Sequence, residues 1–271
     1  MTDFNLKAYL NRVGFSGVAS PTLETLQQLH LRHAQTIPFE NLNPLLGWAV
    51  QLDPASLEQK LVHEGRGGYC YEQNLLFKHA LESIGFKVTG LAARVVWNMP
   101  ADAVLPRTHM LVRIDLEGQR YIGDVGFGGL TLTAPLLLEA GIEQFTPHES
   151  FRLIHDSDEF IMQANLAGAW KPLYRFALQE QLMPDYEMAN WYVSRHPRSR
   201  FVNGLIAARP AHDRRYALAN NEFSEHYIDG RTERRKLESV GEIRRVLEGP
   251  FGLTLPDTPE LDVVLGRFVL L

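Results

Sequence analysis

The chain has 271 residues, 45% of them hydrophobic and 22% charged, with a net charge of −5 and one cysteine. This fits a globular protein with a substantial core; it excludes an internal disulfide and a cysteine-rich zinc site, and it offers no overall attraction for nucleic acid or an anionic membrane. No apolar run approaches a membrane span, and Met1-Thr2-Asp3-Phe4-Asn5 lacks a signal peptide's basic-then-apolar order, so a reducing cytoplasm is the expected compartment.

The first 85 residues predict helices. Leu6 to Val13 is the first. Ser20-Pro21 reads as a cap and first-turn proline, followed by an apolar face of Leu23, Leu26 and Leu29. Asp53-Pro54 repeats that signal before Leu57 and Leu61. Next comes a glycine-rich turn, Gly65-Arg66-Gly67-Gly68-Tyr69-Cys70-Tyr71-Glu72. It runs into Leu76, Phe77, Ala80, Leu81 and Ile84 at helical spacing, with Gly85 as the stop. Cys70 therefore falls at a helix start, where unpaired N–H groups and the helix dipole favour a thiolate. The alternative is a buried cysteine serving as a small hydrophobe. The glycines are expected to permit a sharp turn and the close approach of a substrate. Between the second and third helices, Ile37-Pro38-Phe39-Glu40-Asn41-Leu42 sets an acid and an amide among apolar residues. If they are buried, Arg66 is a candidate partner; an exposed loop is the alternative.

Past Gly85 the period changes. Val88, Leu91, Val95, Val96 and Trp97 suggest a strand, and Asn98 to Arg107 a loop. From His109 the chain alternates, reverses at Leu116-Glu117-Gly118-Gln119 and returns from Arg120 to Val125, a hairpin pattern. A turn centred between Leu116 and Glu117 sets His109 opposite Asp124. One centred on Glu117-Gly118 makes them diagonal neighbours on one face, and a longer loop separates them. Val125-Gly126-Phe127-Gly128-Gly129 is a second loop that permits close backbone approach. Strand-like runs at Phe151–Ile154, Phe160–Gln163 and Leu173–Phe176 complete a mainly β middle section, a barrel or sandwich. Asn190 to Phe201 reads as a connector. Short strands follow near Leu205–Ala208, Tyr216–Ala219, Phe223–Ile228 and Thr232–Leu237, then a helix near Gly241–Glu248 and a short apolar end.

Cys70, His109 and Asp124 supply a nucleophile, a base and an orienting carboxylate. An imidazole beside a thiol takes its proton, and a carboxylate on the other ring nitrogen fixes the tautomer and stabilises the cation. A strand histidine with an ordinary hydrogen bond and an aspartate capping the glycine loop are the plainer readings of those two residues. A thiol hydrolase or transglutaminase-like enzyme is the alternative chemistry for the same three groups.

These residues resemble the arylamine N-acetyltransferases. The similarity covers nearly the whole chain. It is carried by Pro38-Phe39-Glu40-Asn41-Leu42, Arg66-Gly67-Gly68-Tyr69-Cys70-Tyr71-Glu72, Arg107-Thr108-His109, Asp124-Val125-Gly126-Phe127-Gly128-Gly129 and the Asn190–Phe201 connector. The resemblance implies an α+β fold: a helical bundle over residues 1–85, an antiparallel β-barrel over 86–189, then a connector and α/β lid over 190–271. It also implies a cysteine-protease-like triad of Cys70, His109 and Asp124. Acetyl-CoA would acetylate the cysteine, and an arylamine, arylhydrazine or N-hydroxyarylamine would take the acetyl group. Acetyl-CoA is thus a co-substrate; no tightly bound cofactor and no metal is implied, and a homo-oligomer is compatible with the reading. Arg66, Glu40 and Asn41 match the structural support of the active-site turn. Thr108, Gly126, Phe127, Gly128 and Arg198 are expected at the cofactor, and Phe39, Tyr71 and Phe127 at the acceptor pocket. Tyr71 stands where phenylalanine is usual, and Arg195 where a small polar residue is commoner. For the CoA phosphates, Arg195, His196, Arg198 and Arg200, with Arg209, Arg214 and Arg215, form the available cluster; a solvated charged face is the alternative.

Overall fold

Side-chain caps set the first helices in the computed structural model, which describes residues 4–100 and 102–269. The start at Met1-Thr2-Asp3 and the last two residues of the apolar end lie outside the described residues. Helix α1 (Leu6–Arg12) begins where Asn5 Oδ1 accepts the Ala8 N–H at 3.0 Å. Helix α2 (Leu23–Thr36) starts later than Ser20-Pro21 suggests: Thr22 is the cap, its hydroxyl accepting the Thr25 N–H at 3.3 Å. That start puts Leu26, Leu29, His30 and His33 on one buried face. The stretch between helices holds strand β1 (Phe39–Glu40) and the short helix α3 (Leu42–Leu45). Asp53 caps α4 (Pro54–Glu58), which continues as a π-helical turn, Gln59–His63. Helix α5 (Cys70–Ile84) opens on the cysteine and stops at Gly85, whose φ of 107° suits glycine.

The middle section is one antiparallel sheet of β2 (Lys87–Val95), β3 (His109–Leu116), β4 (Gln119–Gly123), β5 (Leu136–Leu137), β6 (Glu143–Phe145), β7 (Ser150–Asp156), β8 (Glu159–Leu166) and β9 (Ala169–Phe176). Its order is β5-β4-β3-β2-β9-β8-β7-β6. The outer strands nearly meet: the Gln144 side chain of β6 accepts the Leu137 N–H at 2.7 Å and donates to the Leu137 carbonyl at 2.9 Å. The result is a barrel closed on one side by a single amide. Strand β3 is buried on both faces. Met110, Val112 and Ile114 pack on the helices, while Leu111 joins Leu91, Ile122 and Phe151 inside the barrel.

The remainder is α6 (Met183–Arg195), α7 (Arg200–Asn203), β10 (Ile206–Pro210), β11 (Arg214–Ala219), β12 (Glu222–Tyr227), β13 (Thr232–Lys236), α8 (Val240–Glu248) and α9 (Pro259–Val269). Two expectations change here. The connector is helical up to Arg195, because α6 buries Tyr186, Asn190, Val193 and Ser194 at helical spacing, and two of those four are polar. The apolar end is a full amphipathic helix, α9, docked through Leu261, Leu265 and Phe268. The second sheet runs β1-β10-β11-β12-β13, so Phe39–Glu40 pairs with Ala207 and Ala208 from the far end of the chain. Among the described residues, no helix is long and apolar enough to cross a membrane.

Leu265 has no exposed surface. Leu265→Ala is expected to cost about 2–5 kcal/mol of unfolding free energy, measured by urea denaturation; a loss near zero would mean that α9 is not part of the core.

Candidate active site

The turn before Cys70 is shaped by protein-to-protein approach. Gly68 exchanges backbone hydrogen bonds with the Pro38–Glu40 stretch: its carbonyl accepts the Glu40 N–H at 3.1 Å, and its N–H donates to the Pro38 carbonyl at 3.3 Å. A Cβ on Gly67 would fall 2.1 Å from the Pro38 carbonyl oxygen. The glycine is therefore required by a packed backbone, where the sequence suggested room for a substrate. Beneath it lie two buried carboxylates and two cations. Arg66 Nη2 meets Glu40 Oε1 at 3.0 Å, Lys60 Nζ meets Glu72 Oε1 at 2.6 Å, and Glu72 Oε2 accepts the Tyr69 N–H at 3.0 Å. Burial would raise Glu40, but Arg66 and Lys60 outweigh it and hold it below its ordinary value. Asn41 serves a different segment. Its Nδ2 donates to the carbonyls of Phe201 and Gly204 at 2.8 and 2.7 Å, and its Oδ1 accepts the Ile206 N–H at 2.8 Å.

The hairpin forms the register with a two-residue turn at Glu117-Gly118, pairing Val112 with Gly123 and Leu116 with Gln119. Both turn residues have positive φ, 50° and 78°, a turn whose twist matches the strands. His109 and Asp124 consequently lie diagonally on one face, and His109 Nε2–H donates to Asp124 Oδ2 at 2.7 Å. Cys70 lines the same cavity as His109, and its Sγ lies 3.7 Å from the carbonyl oxygen of Thr108, the residue before that histidine. Burial alone would lower His109; the Asp124 carboxylate, then Cys70, outweigh it and push it up to about 10. Burial works against ionised Asp124, yet His109, Asn74 and the Gly126 N–H hold it below its ordinary value.

Cys70 and His109 open onto a cavity of about 870 Å³. Phe39, Thr108, Gly126, Phe127 and Gly128 line it, as the sequence suggested. The Phe127 ring stands edge-on to His109, centroids 5.2 Å apart. Gly126 has a structural reason of its own, since a Cβ there would come within 2.8 Å of Cys70 Cα and Asn74 Nδ2. Two placements are corrected. Tyr71 does not face this cavity; as the second residue of α5 it points the other way, into a separate pocket with Ala92, Arg107 and Tyr186. Arg198 is exposed and outside the cavity wall, which instead includes Arg200, Arg215 and Arg231. Other arginines of the expected cluster are committed: Arg195 to the Gly47 carbonyl at 2.7 Å, Arg214 to Asp213 and Glu225, and buried Arg215 to Glu149.

Three neighbours of the triad went unread in the sequence. Asn74 Nδ2 donates to Asp124 Oδ1 at 3.0 Å, and its signal was an amide one helical turn after Cys70. His30 Nε2 accepts the Asp124 N–H at 3.1 Å, and burial drives it down to about 3, so the ring is neutral. The Tyr174 ring packs on His109 at 5.0 Å. For these two, sequence spacing carries no signal.

A buried cysteine and histidine at the wall of a largely apolar cleft, with an aspartate behind the histidine, on a helical bundle, a barrel and a second sheet, are the groups that thiol-based acyl transfer uses. A family model described as N-acetyltransferase matches residues 22–260. The arylamine N-acetyltransferase of Escherichia coli is 42% identical, over 97% of this chain and 96% of its own length. The solved arylamine N-acetyltransferase of Mycobacterium tuberculosis has a TM-score of 0.93 at 41% identity, covering 96% of this chain and 99% of that one. That of Mycobacterium marinum, solved in complex with CoA, gives 0.94 at 38%, covering 97% and 99%. The chain belongs to the arylamine N-acetyltransferase family.

The raised His109 and lowered Asp124 set a pH dependence. His109 contributes stability fully below its ordinary 6.5, and loses it as pH rises through about 10. Asp124 contributes above its ordinary 3.8 and loses that as pH falls. Titration of the His109 Cε1–H by NMR is expected to show imidazolium through neutral pH, with deprotonation only toward about 10. A midpoint near 6.5 would contradict the pairing.

Proposed function

We propose that this chain moves the acetyl group of acetyl-CoA to arylamines, arylhydrazines or N-hydroxyarylamines through an acetyl-Cys70 intermediate. The carrying observation is the His109 ring, bonded to Asp124 at 2.7 Å, which shares the wall of a cavity of about 870 Å³ with Cys70. Residues 1–85 then supply the nucleophile, 86–189 the base and its carboxylate, and 190–271 the lid.

In the first half-reaction His109 holds the thiol proton as imidazolium, and the Cys70 thiolate attacks the thioester carbonyl. A new C–S bond forms to Cys70, the C–S bond to CoA breaks, and the leaving thiolate takes the proton from His109. Exchange between two thioesters is near balance, so little driving force is lost. Acylation also removes one of the groups that keep His109 protonated. The neutral imidazole is then a base. An aromatic amine, weakly basic and uncharged, attacks the acetyl carbon; its proton passes to His109, and Cys70 leaves as thiolate. Phe39 and Phe127, with Phe201 tilted against Phe39 at 5.9 Å, supply an apolar wall for the ring and limit competing water. The CoA phosphates are assigned to Arg200 of the cavity wall, which has no ion-pair partner among the described residues, with Arg198 unneeded. Because the thiol has to stay reduced, a reducing compartment such as the cytoplasm suits this chemistry.

Incubation with acetyl-CoA and no acceptor is expected to add one acetyl mass to the Cys70 peptide, and Cys70→Ala to abolish it. Hydrolysis of peptide amides without acetylation would favour the thiol-hydrolase alternative. Asp124→Asn is expected to lower acetyl transfer to an aniline by roughly 10³–10⁴-fold, because the imidazole tautomer is no longer set; turnover near wild type would remove Asp124 from this role.

A further inference from the structure

We propose that Asn74 is a positioning residue whose one amide sets the mutual spacing of Cys70, His109 and Asp124. The inference rests on the acetyl-transfer reading above and adds a residue to it. Asn74 has no exposed surface, and each of its hydrogen bonds ends on, or beside, a reacting residue. Its Nδ2 donates to Asp124 Oδ1 at 3.0 Å and to the carbonyl of Met110, next to His109, at 2.8 Å. Its Oδ1 accepts the N–H of Val125, next to Asp124, at 3.0 Å. Asn74 itself lies one helical turn beyond Cys70. Three elements that meet nowhere else in sequence, α5, β3 and the loop after β4, are thus pinned by one planar group.

The orientation of that group is fixed by its partners. Turned over, its oxygen would face a carbonyl and a carboxylate, and its NH₂ would face an N–H. Loss of the Nδ2 donor leaves Asp124 Oδ1 with the Gly126 N–H at 3.0 Å, too little to stop the carboxylate from turning off the His109 axis. The ionisable groups around that axis are Cys70, neutral His30 behind Asp124, and Tyr174, whose buried hydroxyl lies near Asp124 without a hydrogen-bond partner among the described residues. Gln73, the adjacent residue of α5, is an internal comparison. It is equally buried and donates to the carbonyls of Ile37, Pro38 and Gly68 at 3.1, 2.8 and 3.2 Å, yet it touches neither His109 nor Asp124.

The test is a double-mutant cycle on the rate of Cys70 acetylation by acetyl-CoA, followed by CoA release in a single turnover. Asn74→Ala is expected to slow acetylation roughly 10–100-fold, with the KM for acetyl-CoA within about twofold. In an Asp124→Asn background the same change is expected to cost less than about threefold, because its route through the carboxylate is gone. Gln73→Ala is expected to lower the melting temperature at least as much while leaving the cycle additive. Should Asn74→Ala fail to fold, Asn74→Asp, which keeps the acceptor for Val125 and loses the donor, goes through the same cycle. A rate within about threefold of wild type, or an equal loss with and without Asp124, would overturn the proposal. Failure of the wild type to acetylate Cys70 would instead overturn the function on which it rests.

Discussion

A carboxylate with no exposed surface is the constraint on which the site depends. An isolated ion there would cost several kcal/mol even after relaxation, so every lone pair of Asp124 needs a donor. His109 supplies one at 2.7 Å, Asn74 and the Gly126 N–H one each at 3.0 Å. The residue's own N–H goes to His30. These requirements reach far: they hold the β3–β4 hairpin to a single register, keep position 126 free of a side chain, and draw the start of α5 against the barrel. Cys70 is placed as a by-product of satisfying a buried charge.

A second buried set of charges does the same for the turn. Glu40, Glu72, Lys60 and Arg66 balance two against two, with Lys60 also 3.8 Å from Glu40. Removing one partner would leave an unpaired buried ion, which destabilises far more than loss of the pair as a whole. The turn is therefore fixed by electrostatics beneath it and by backbone pairing with Pro38–Glu40 above it.

Much of this was legible in the residues. Caps and prolines marked the helix starts within two residues, and alternation marked β3, β4 and β7 to β9. The diagonal His109–Asp124 neighbourhood was one of three registers that the residues left open, and the two-residue turn at Glu117-Gly118 selects it. What stayed hidden was non-local. The helix over Asn190–Arg195 buries polar Asn190 and Ser194, which erases its apolar stripe. The direction of Tyr71 depends on how α5 rolls against the barrel, and residue spacing from Cys70 does not report that roll. Arg195 and Arg215 looked free because their partners, Gly47 and Glu149, are distant in sequence. His30 was invisible for the same reason: an imidazole among leucines announces burial, not its partner.

The two-residue strand β1 has a consequence for biosynthesis. Phe39 and Glu40, made early, find their sheet partners only in Ala208 and Ala207, made late. During vectorial synthesis Cys70, His109 and Asp124 all leave the ribosome before the strand that walls their cleft has a mate. Such long-separation pairing is slow to nucleate and is completed after most of the chain is released. A nascent chain that ends before Ile206 would thus carry Cys70, His109 and Asp124 without the sheet partner of the strand that walls their cleft.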